Sequence, residues 1–253
     1  MLFLVYTFLI PLVCVLLMKY VPVCGNGIMN LVLFGIEGAS PTIAVVLVML
    51  QKGGRKGLMD FLREKYRGIP VKYCVIGFGM PAIVLTIAKI LTYATPYHNQ
   101  FFTIPNAKKM LILLWALIAE ELGWRGYLQE KLEKRFGSAI TPLLLGFIWT
   151  SWHYHFWISG SMETPLLLFA YGCITESYGY YVITKLSGGN VVPASLWHFS
   201  GNLFFNLYLL NPNWNQGSAV PYFFVNALCS IYIVVYVWYR KAKGENYDYN
   251  QKI

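Results

Sequence analysis

Eight apolar segments of about 20 residues follow one another along the chain and dominate it. A helix needs about 20 mostly apolar residues to cross the hydrocarbon core of a bilayer. Because 57% of the 253 residues are hydrophobic and only 12% are charged, the chain has too little polar surface to cover a soluble fold. The eight predicted spanning helices are 2–18, 27–50, 71–93, 108–128, 138–158, 165–184, 190–210 and 220–239.

This pattern predicts an all-α fold, a polytopic transmembrane bundle that forms one integral-membrane domain over 1–239 and ends in a polar tail, 240–253. Lys and Arg concentrate in cytoplasmic loops. Fourteen of them lie in the tail and in the loops after the second, fourth and sixth segments, against three in the alternate loops. Both termini are therefore predicted to be cytoplasmic. The segment 57–66 fits either a short helix at the inner interface or a solvated loop.

The formal net charge of +9 would suggest a nucleic-acid partner in a soluble protein. Here the basic residues flank apolar segments, so topology accounts for them and no nucleic acid is expected. The five cysteines lie scattered without a C-x-x-C pair, which argues against a disulfide framework and a zinc ribbon. The predicted surroundings are a lipid bilayer, and the oligomeric state stays open.

The stretch EELGWR at 120–125 is the most informative part of the sequence. An ionisable side chain inside a membrane costs roughly 2.5–3.5 kcal/mol, so it persists only where it is paired or functional. Glu121 and Arg125 share one helix face in the order that favours an ion pair. Glu120 points about 100° away and has no such partner, which suits a general acid or base. The alternative is that both glutamates only terminate the span in a wet helix end.

Two later segments add imidazoles. His153 and His155 lie two residues apart, on nearly opposite faces, so one of them is expected to be a bystander. His198 and Asn202 share one face, and together they could bind a metal or donate hydrogen bonds to an oxyanion. The alternatives are a packed core histidine and a polar contact between helices. One Glu, two His and one Asn on three helices are the components of peptide hydrolysis.

Other hydrolase signatures are missing. The sequence has no H-E-x-x-H and no G-x-S-x-G. Its only aspartates, Asp60 and Asp248, lie in predicted cytoplasmic segments, which excludes a paired-aspartate site in the membrane.

Taken together, these residues resemble the CPBP family of intramembrane proteases, which includes the CAAX prenyl endopeptidase and bacterial bacteriocin-processing or immunity proteins. The family pattern is E-E-x-x-x-R on one helix, F-x-x-x-H on the next and H-x-x-x-N on a later one. The corresponding residues here are Glu120, Glu121 and Arg125, then Trp149 and His153, then His198 and Asn202, within about 107–206. The runs EELGWRGYL and GGNVVPA look like the bacterial branch. Trp149 replaces the phenylalanine of the pattern, which we interpret as a packing variant.

The resemblance implies a peptidase in which Glu120 activates water and His153 assists. His198 and Asn202 would stabilise the oxyanion, and Glu121 with Arg125 would hold the site together. The implied substrate is a membrane-associated, lipidated or hydrophobic peptide or protein. The implied location is the cytoplasmic membrane of a bacterium.

Several alternatives stay open. The set Glu120, His153 and His198 could bind a divalent metal such as Zn²⁺. Glu37 and Glu176 match no family motif and are predicted to be structural or to contact substrate. A CAAX-type endopeptidase acting on prenylated C-termini is a second enzymatic hypothesis, which the bacterial character of the motifs disfavours. The non-enzymatic hypothesis is a transporter or a bacteriocin-immunity scaffold, because intramembrane Glu and His also mark proton relays.

Overall fold

The computed structural model describes residues 1–162, 164–211, 215 and 217–244; the end of the predicted tail, 245–253, lies outside the described residues. Within these ranges the secondary structure is helical and there is no strand, which confirms the predicted all-α fold class. The helices are α1 (Leu2–Tyr20), α2 (Gly27–Gly38), α3 (Ser40–Tyr66), α4 (Val71–Tyr93), α5 (Ala107–Ala119), α6 (Glu121–Gly123), a π-helical turn (Trp124–Leu128), α7 (Gln129–Phe136), α8 (Thr141–Trp152), α9 (Tyr154–Ser159), α10 (Leu166–Leu186), α11 (Val192–Leu207), α12 (Val220–Cys229) and α13 (Ile231–Ala242).

The long helices turn apolar side chains outward, as lipid contact requires. On α1, Val5, Leu9 and Val13 follow one another at a spacing of four and are each about half exposed. Among the described residues, three helical stretches are long and apolar enough to cross a membrane: α1, α4 and the joined α12 and α13. The bent pair α2 and α3 makes a fourth if it is one span. These helices indicate an integral membrane protein, and the full set of eight spans stays a prediction.

Two predicted continuous helices are broken near their middle. The segment 108–128 leaves α-helical geometry at Glu120, with φ −123° and ψ −43°, and continues through a π-helical turn. The segment 138–158 is interrupted at His153, which ends α8 and precedes α9. Irregular backbone is tolerated at membrane depth only where it is buried in protein or lines a cavity. Both breaks fall on residues that the sequence analysis selected as candidate catalytic groups.

The region of the second predicted span is also bent. α2 and α3 meet at 64° around Ala39, and α3 continues to Tyr66 past a kink at Gly54, where φ is +58°. The segment 57–66 is therefore helical, as the end of α3, and its position at the inner interface stays a prediction.

Close helix contacts position the elements of the site. A Cβ on Gly77 of α4 would lie 2.3 Å from the carbonyl oxygen of Pro193 in α11. A Cβ on Gly123 would lie 2.4 Å from the carbonyl oxygen of Pro41 at the start of α3. Only glycine permits these approaches, which follow the small-residue packing typical of membrane helices. The first contact seats α11 against α4, and the second fixes the helix that carries the two adjacent glutamates.

Candidate active site

One cavity of about 500 Å³ lies between the helices and brings together four of the predicted site residues. Glu120, His153, His198 and Asn202 all line it. They come from three separate parts of the chain: the end of α5, the end of α8 and the middle of α11. The residues expected from three short motifs are thus brought together in one cavity.

Two indoles hold the carboxylate of Glu120. Its Oε2 accepts a hydrogen bond from Trp124 Nε1 at 3.1 Å and another from Trp149 Nε1 at 3.0 Å. Its Oε1 faces His198 Nε2 across 3.8 Å. One oxygen is therefore fixed by donors, and the other is left for chemistry. The interpretation of Trp149 as a packing variant was incomplete, because a phenylalanine has no N–H to donate.

Glu121 links an arginine to a histidine. Arg125 Nη1 lies 3.0 Å from Glu121 Oε2, the ion pair expected from their spacing. His198 Nδ1 lies 2.8 Å from Glu121 Oε1. Because a carboxylate accepts, this contact places the proton on Nδ1 and turns Nε2 toward Glu120. The pair of glutamates therefore sets both the orientation and the tautomer of His198.

The guanidinium of Arg125 is completely buried and stacks on aromatic rings. Its central carbon lies 3.8 Å from the centroid of Tyr180 and 4.7 Å from that of Trp149. Such cation–π contacts help to offset the cost of burying a charge. Sequence analysis missed Tyr180, which belongs to no motif and has no distinguishing neighbour in the sequence.

The two histidines of the fifth segment have different surroundings. His153 Nδ1 contacts the carbonyl oxygen of Trp149 at 2.7 Å, which leaves Nε2 as the nitrogen available to the cavity. His155 lies outside the cavity lining, with its Nε2 3.9 Å from Glu37 Oε1. This agrees with the prediction that one of the two is not part of the site.

The donor atoms around Glu120 are compatible with a metal ion. In the described part of the chain, one group of three potential ligands has its atoms within 4.8 Å of one another: Glu120, Glu121 and His198. This group differs from the predicted set, since it contains Glu121 in place of His153. The gap of 3.8 Å between Glu120 Oε1 and His198 Nε2 accommodates bonds of about 2.0–2.2 Å to zinc. The third ligand of such an ion would be either Glu121, which already pairs with Arg125, or His153, which lines the same cavity.

Glu176 also lines the cavity. Its Oε2 accepts from Trp197 Nε1 at 2.6 Å, and its Oε1 accepts from the Cys229 thiol at 3.2 Å. Glu37 instead lies away from the cavity beside His155. The two glutamates without a family motif therefore occupy different environments.

Fold and site together define a class: a helical membrane protein whose cavity is lined by carboxylate and imidazole side chains. Residues 107–204 match the family model of type II CAAX prenyl endopeptidases, described as Rce1-like. The CAAX prenyl protease 2 of Methanococcus maripaludis is 25% identical over 129 residues, which are 46% of each chain. The chain thus spans less than half the length of this relative.

The matched segment contains all of the predicted site residues from Glu120 to Asn202. The match therefore supports the resemblance predicted from the three motifs, which is to a family of peptidases. The assignment to its bacterial branch stays a prediction.

Proposed function

We propose that the protein is an intramembrane endopeptidase that hydrolyses a peptide bond in a membrane-associated, lipidated or hydrophobic peptide. One observation carries the proposal: Glu120 Oε1 and His198 Nε2 face each other across 3.8 Å inside a cavity lined mainly by apolar side chains. A carboxylate and an imidazole at this separation can hold a water molecule between them. The family match supports the reaction class, and it favours an enzyme over a transporter or an immunity scaffold.

In the proposed mechanism, Glu120 accepts a proton from water while the water oxygen attacks the peptide carbonyl. The two indole N–H groups keep the carboxylate in place. His153 assists through Nε2. The proton then passes from Glu120 to the leaving nitrogen as the C–N bond breaks, so that the carboxylate is restored.

The oxyanion would be stabilised by His198 and Asn202, which share a face of α11. With Nδ1–H bound to Glu121, a neutral His198 offers only a lone pair at Nε2. It donates from Nε2 when the ring is protonated, a state that the adjacent carboxylates of Glu120 and Glu121 stabilise. The Asn202 carboxamide would supply a neutral donor beside it.

A divalent ion such as Zn²⁺, held by Glu120 and His198 with Glu121 or His153, would polarise the water or the carbonyl when bound. The roles of the protein groups in orienting the site are the same with or without it. Chelation during the assay decides whether the ion takes part.

The proposed setting is a single membrane domain over 1–239 with eight spans and both termini in the cytoplasm. The distribution of Lys and Arg supports this topology. The bacterial features of the motifs support the cytoplasmic membrane of a bacterium. The matched family and the matched relative are both named as CAAX prenyl proteases. Peptides with a prenylated C-terminus are therefore a substrate class to test.

The test is cleavage of short hydrophobic peptides, with and without a C-terminal lipid, by the purified protein in detergent. Glu120→Gln and His198→Ala should each lower kcat/KM by about 10²–10⁴-fold. Glu37→Gln and His155→Ala are matched controls, because they alter a buried carboxyl and a buried imidazole outside the cavity. Cleavage by both site variants at the wild-type rate would refute the assigned site.

The same variants distinguish a peptidase from a transporter or a scaffold. A proton-coupled transporter should lose flux when Glu37 is neutralised, since proton relays depend on intramembrane carboxyls. A peptidase should retain cleavage with Glu37→Gln. A scaffold should keep its binding function in all of the variants that fold.

A further inference from the structure

The cavity continues beyond the Glu120–His198 pair into a region bounded by α10, α11 and α12. α10 presents one face to it, on which Cys173, Glu176 and Tyr180 follow one another at spacings of three and four. From α12, Tyr222 and Asn226 line the same region at a spacing of four. We call this region the α10–α12 subsite.

The carboxylate of Glu176 has unused acceptor capacity in this subsite. It accepts one hydrogen bond on each oxygen, from Trp197 and from the Cys229 thiol. A carboxylate offers about four acceptor positions. Because Glu176 is only partly buried and lines the cavity, a ligand in the cavity can reach the positions that remain.

Apart from the imidazoles of His153 and His198, the charged side chains that face the cavity are carboxylates. Among the described lining residues, the carboxylates are those of Glu120 and Glu176, and none is Lys or Arg. The nearby Arg125 is committed to Glu121 and lies outside the lining. A carboxylate in a cavity of low dielectric constant attracts a cation strongly, since few competing waters and ions screen it.

Aromatic rings surround the same carboxylate. Trp197 donates to it, and Tyr180 packs on Trp197 with their ring centroids 5.7 Å apart. Ring faces of Trp and Tyr add cation–π attraction for an ammonium or guanidinium group. The subsite thus combines a carboxylate with the Trp197 indole beside it, while Arg125 already occupies one face of the Tyr180 ring.

Another part of the lining has a different chemistry. Where α2 and α5 border the cavity, the lining residues are apolar or glycine, with Phe34, Ile112 and Trp115 among them. A substrate in the cavity therefore meets uncharged side chains from α2 and α5 and a carboxylate from α10.

We propose that Glu176 is a specificity-determining residue that binds a basic side chain, Lys or Arg, of the substrate close to the cleaved bond. The proposal rests on the proposed function, because it assigns that side chain to a peptide in the same cavity. Glu176 is given no part in bond cleavage, because Glu120 is the carboxylate that faces His198 and remains the base.

The experiment uses the full chain in detergent and a fluorescent hydrophobic octapeptide in which each position in turn is Lys or its uncharged analogue norleucine. Cleavage is measured for wild type and Glu176→Gln. Binding of the same peptides is measured by anisotropy in the Glu120→Gln background, with and without Glu176→Gln. Glu133→Gln is the control, since Glu133 pairs with Lys185 away from the cavity.

At one position, wild type should prefer Lys over norleucine by about tenfold or more, the effect of one charge-assisted hydrogen bond. Glu176→Gln should reduce that ratio to about twofold or less, whereas Glu133→Gln should keep both the ratio and the cleavage of the norleucine peptide at the wild-type values. Equal ratios in wild type and Glu176→Gln would overturn the proposal, as would the absence of any Lys preference or an equal loss with every peptide. A Lys preference in binding without any cleavage would retain the cationic subsite and refute the proposed peptidase.

Discussion

At the scale of single residues, tryptophan has a polar role in this site. Trp124 and Trp149 come from different helices, yet both donate to the same oxygen of Glu120. Paired donors restrain a carboxylate far more than packing does, because hydrogen bonds fix both distance and direction. Glu120 is thereby presented to the cavity with one oxygen in a defined place.

Replacing Trp149 with Phe tests this arrangement. Trp149→Phe keeps an aromatic ring but removes one donor, so we expect kcat to fall by about tenfold with little change in KM. Steady-state kinetics on the peptide cleaved by wild type provides the measurement. Trp238→Phe, at an exposed position on α13, is the control. A Trp149→Phe enzyme with wild-type kcat would show that Trp124 alone suffices.

Removing the guanidinium of Arg125 should destabilise the protein strongly. Arg125→Ala removes the cation of a buried ion pair and leaves Glu121 with only the His198 ring as a partner, which costs about 3–5 kcal/mol. Arg125→Lys keeps the charge but loses the planar contact with Tyr180, so an intermediate loss is expected. Thermal unfolding in detergent measures both. If Arg125→Ala unfolded at the wild-type temperature, the ion pair would not stabilise the fold.

The sequence predicted part of the residue-level picture. The ion pair between Glu121 and Arg125 follows from helix geometry, and the structure contains it. The indole donors could not be predicted, because the direction of a Trp N–H depends on how separate helices pack. The access of Glu176 to the cavity depends on the same packing.

At the scale of elements, the loop before α11 shows how a short motif can shape a helix. Asn190 Nδ2 donates to the carbonyl oxygens of Arg67 and Gly68 at 3.2 Å each, and its Oδ1 accepts from Val192 N at 2.9 Å. One buried side chain therefore ties the loop after α3 to the N-terminus of α11. That helix carries His198 and Asn202, so the motif acts on the site from a distance.

Asn190→Ala should lower the free energy of unfolding by about 1–3 kcal/mol, because it leaves buried backbone groups without partners. Asn190→Asp keeps the acceptor for Val192 N but turns a buried carboxylate oxygen toward the carbonyl oxygens of Arg67 and Gly68, so it should cost at least as much. Chemical denaturation in detergent measures the two variants side by side. Equal stability of Asn190→Ala and wild type would contradict this role.

Element boundaries were predictable where a helix is uninterrupted. α4 spans Val71–Tyr93, which is the predicted range, and α10 lies within two residues of its prediction. The breaks at Glu120 and His153 were not predicted, because hydropathy averaged over a window does not report backbone dihedral angles. The π-helical turn after α6 was not predicted for the same reason.

At the scale of the whole molecule, the all-α fold followed from composition, whereas the topology awaits a direct test. We expect Lys56→Cys to face the cytoplasm and His98→Cys to face the opposite side, since the two positions lie in successive loops of the eight-span arrangement. Both side chains are exposed. A membrane-impermeant thiol reagent applied to intact cells should label only His98→Cys, and permeabilised cells should show both. Wild type reports the background from the native cysteines, and labelling of Lys56→Cys in intact cells would reverse the predicted orientation.

The interruptions at Glu120 and His153 affect how membrane-spanning segments are detected in proteins of this kind. The helical stretches that pass a test of uninterrupted apolar length are α1, α4 and the joined α12 and α13, none of which supplies a proposed catalytic group. The helical stretches that contain the proposed catalytic residues are shortened by breaks or have a lower mean hydropathy because of their polar side chains. A search that selects membrane segments by length alone would find the supporting helices of this protein and miss the helices that carry the proposed catalytic residues. A search for intramembrane enzymes should therefore look for short, interrupted apolar segments with a carboxylate at the interruption, in addition to long apolar helices.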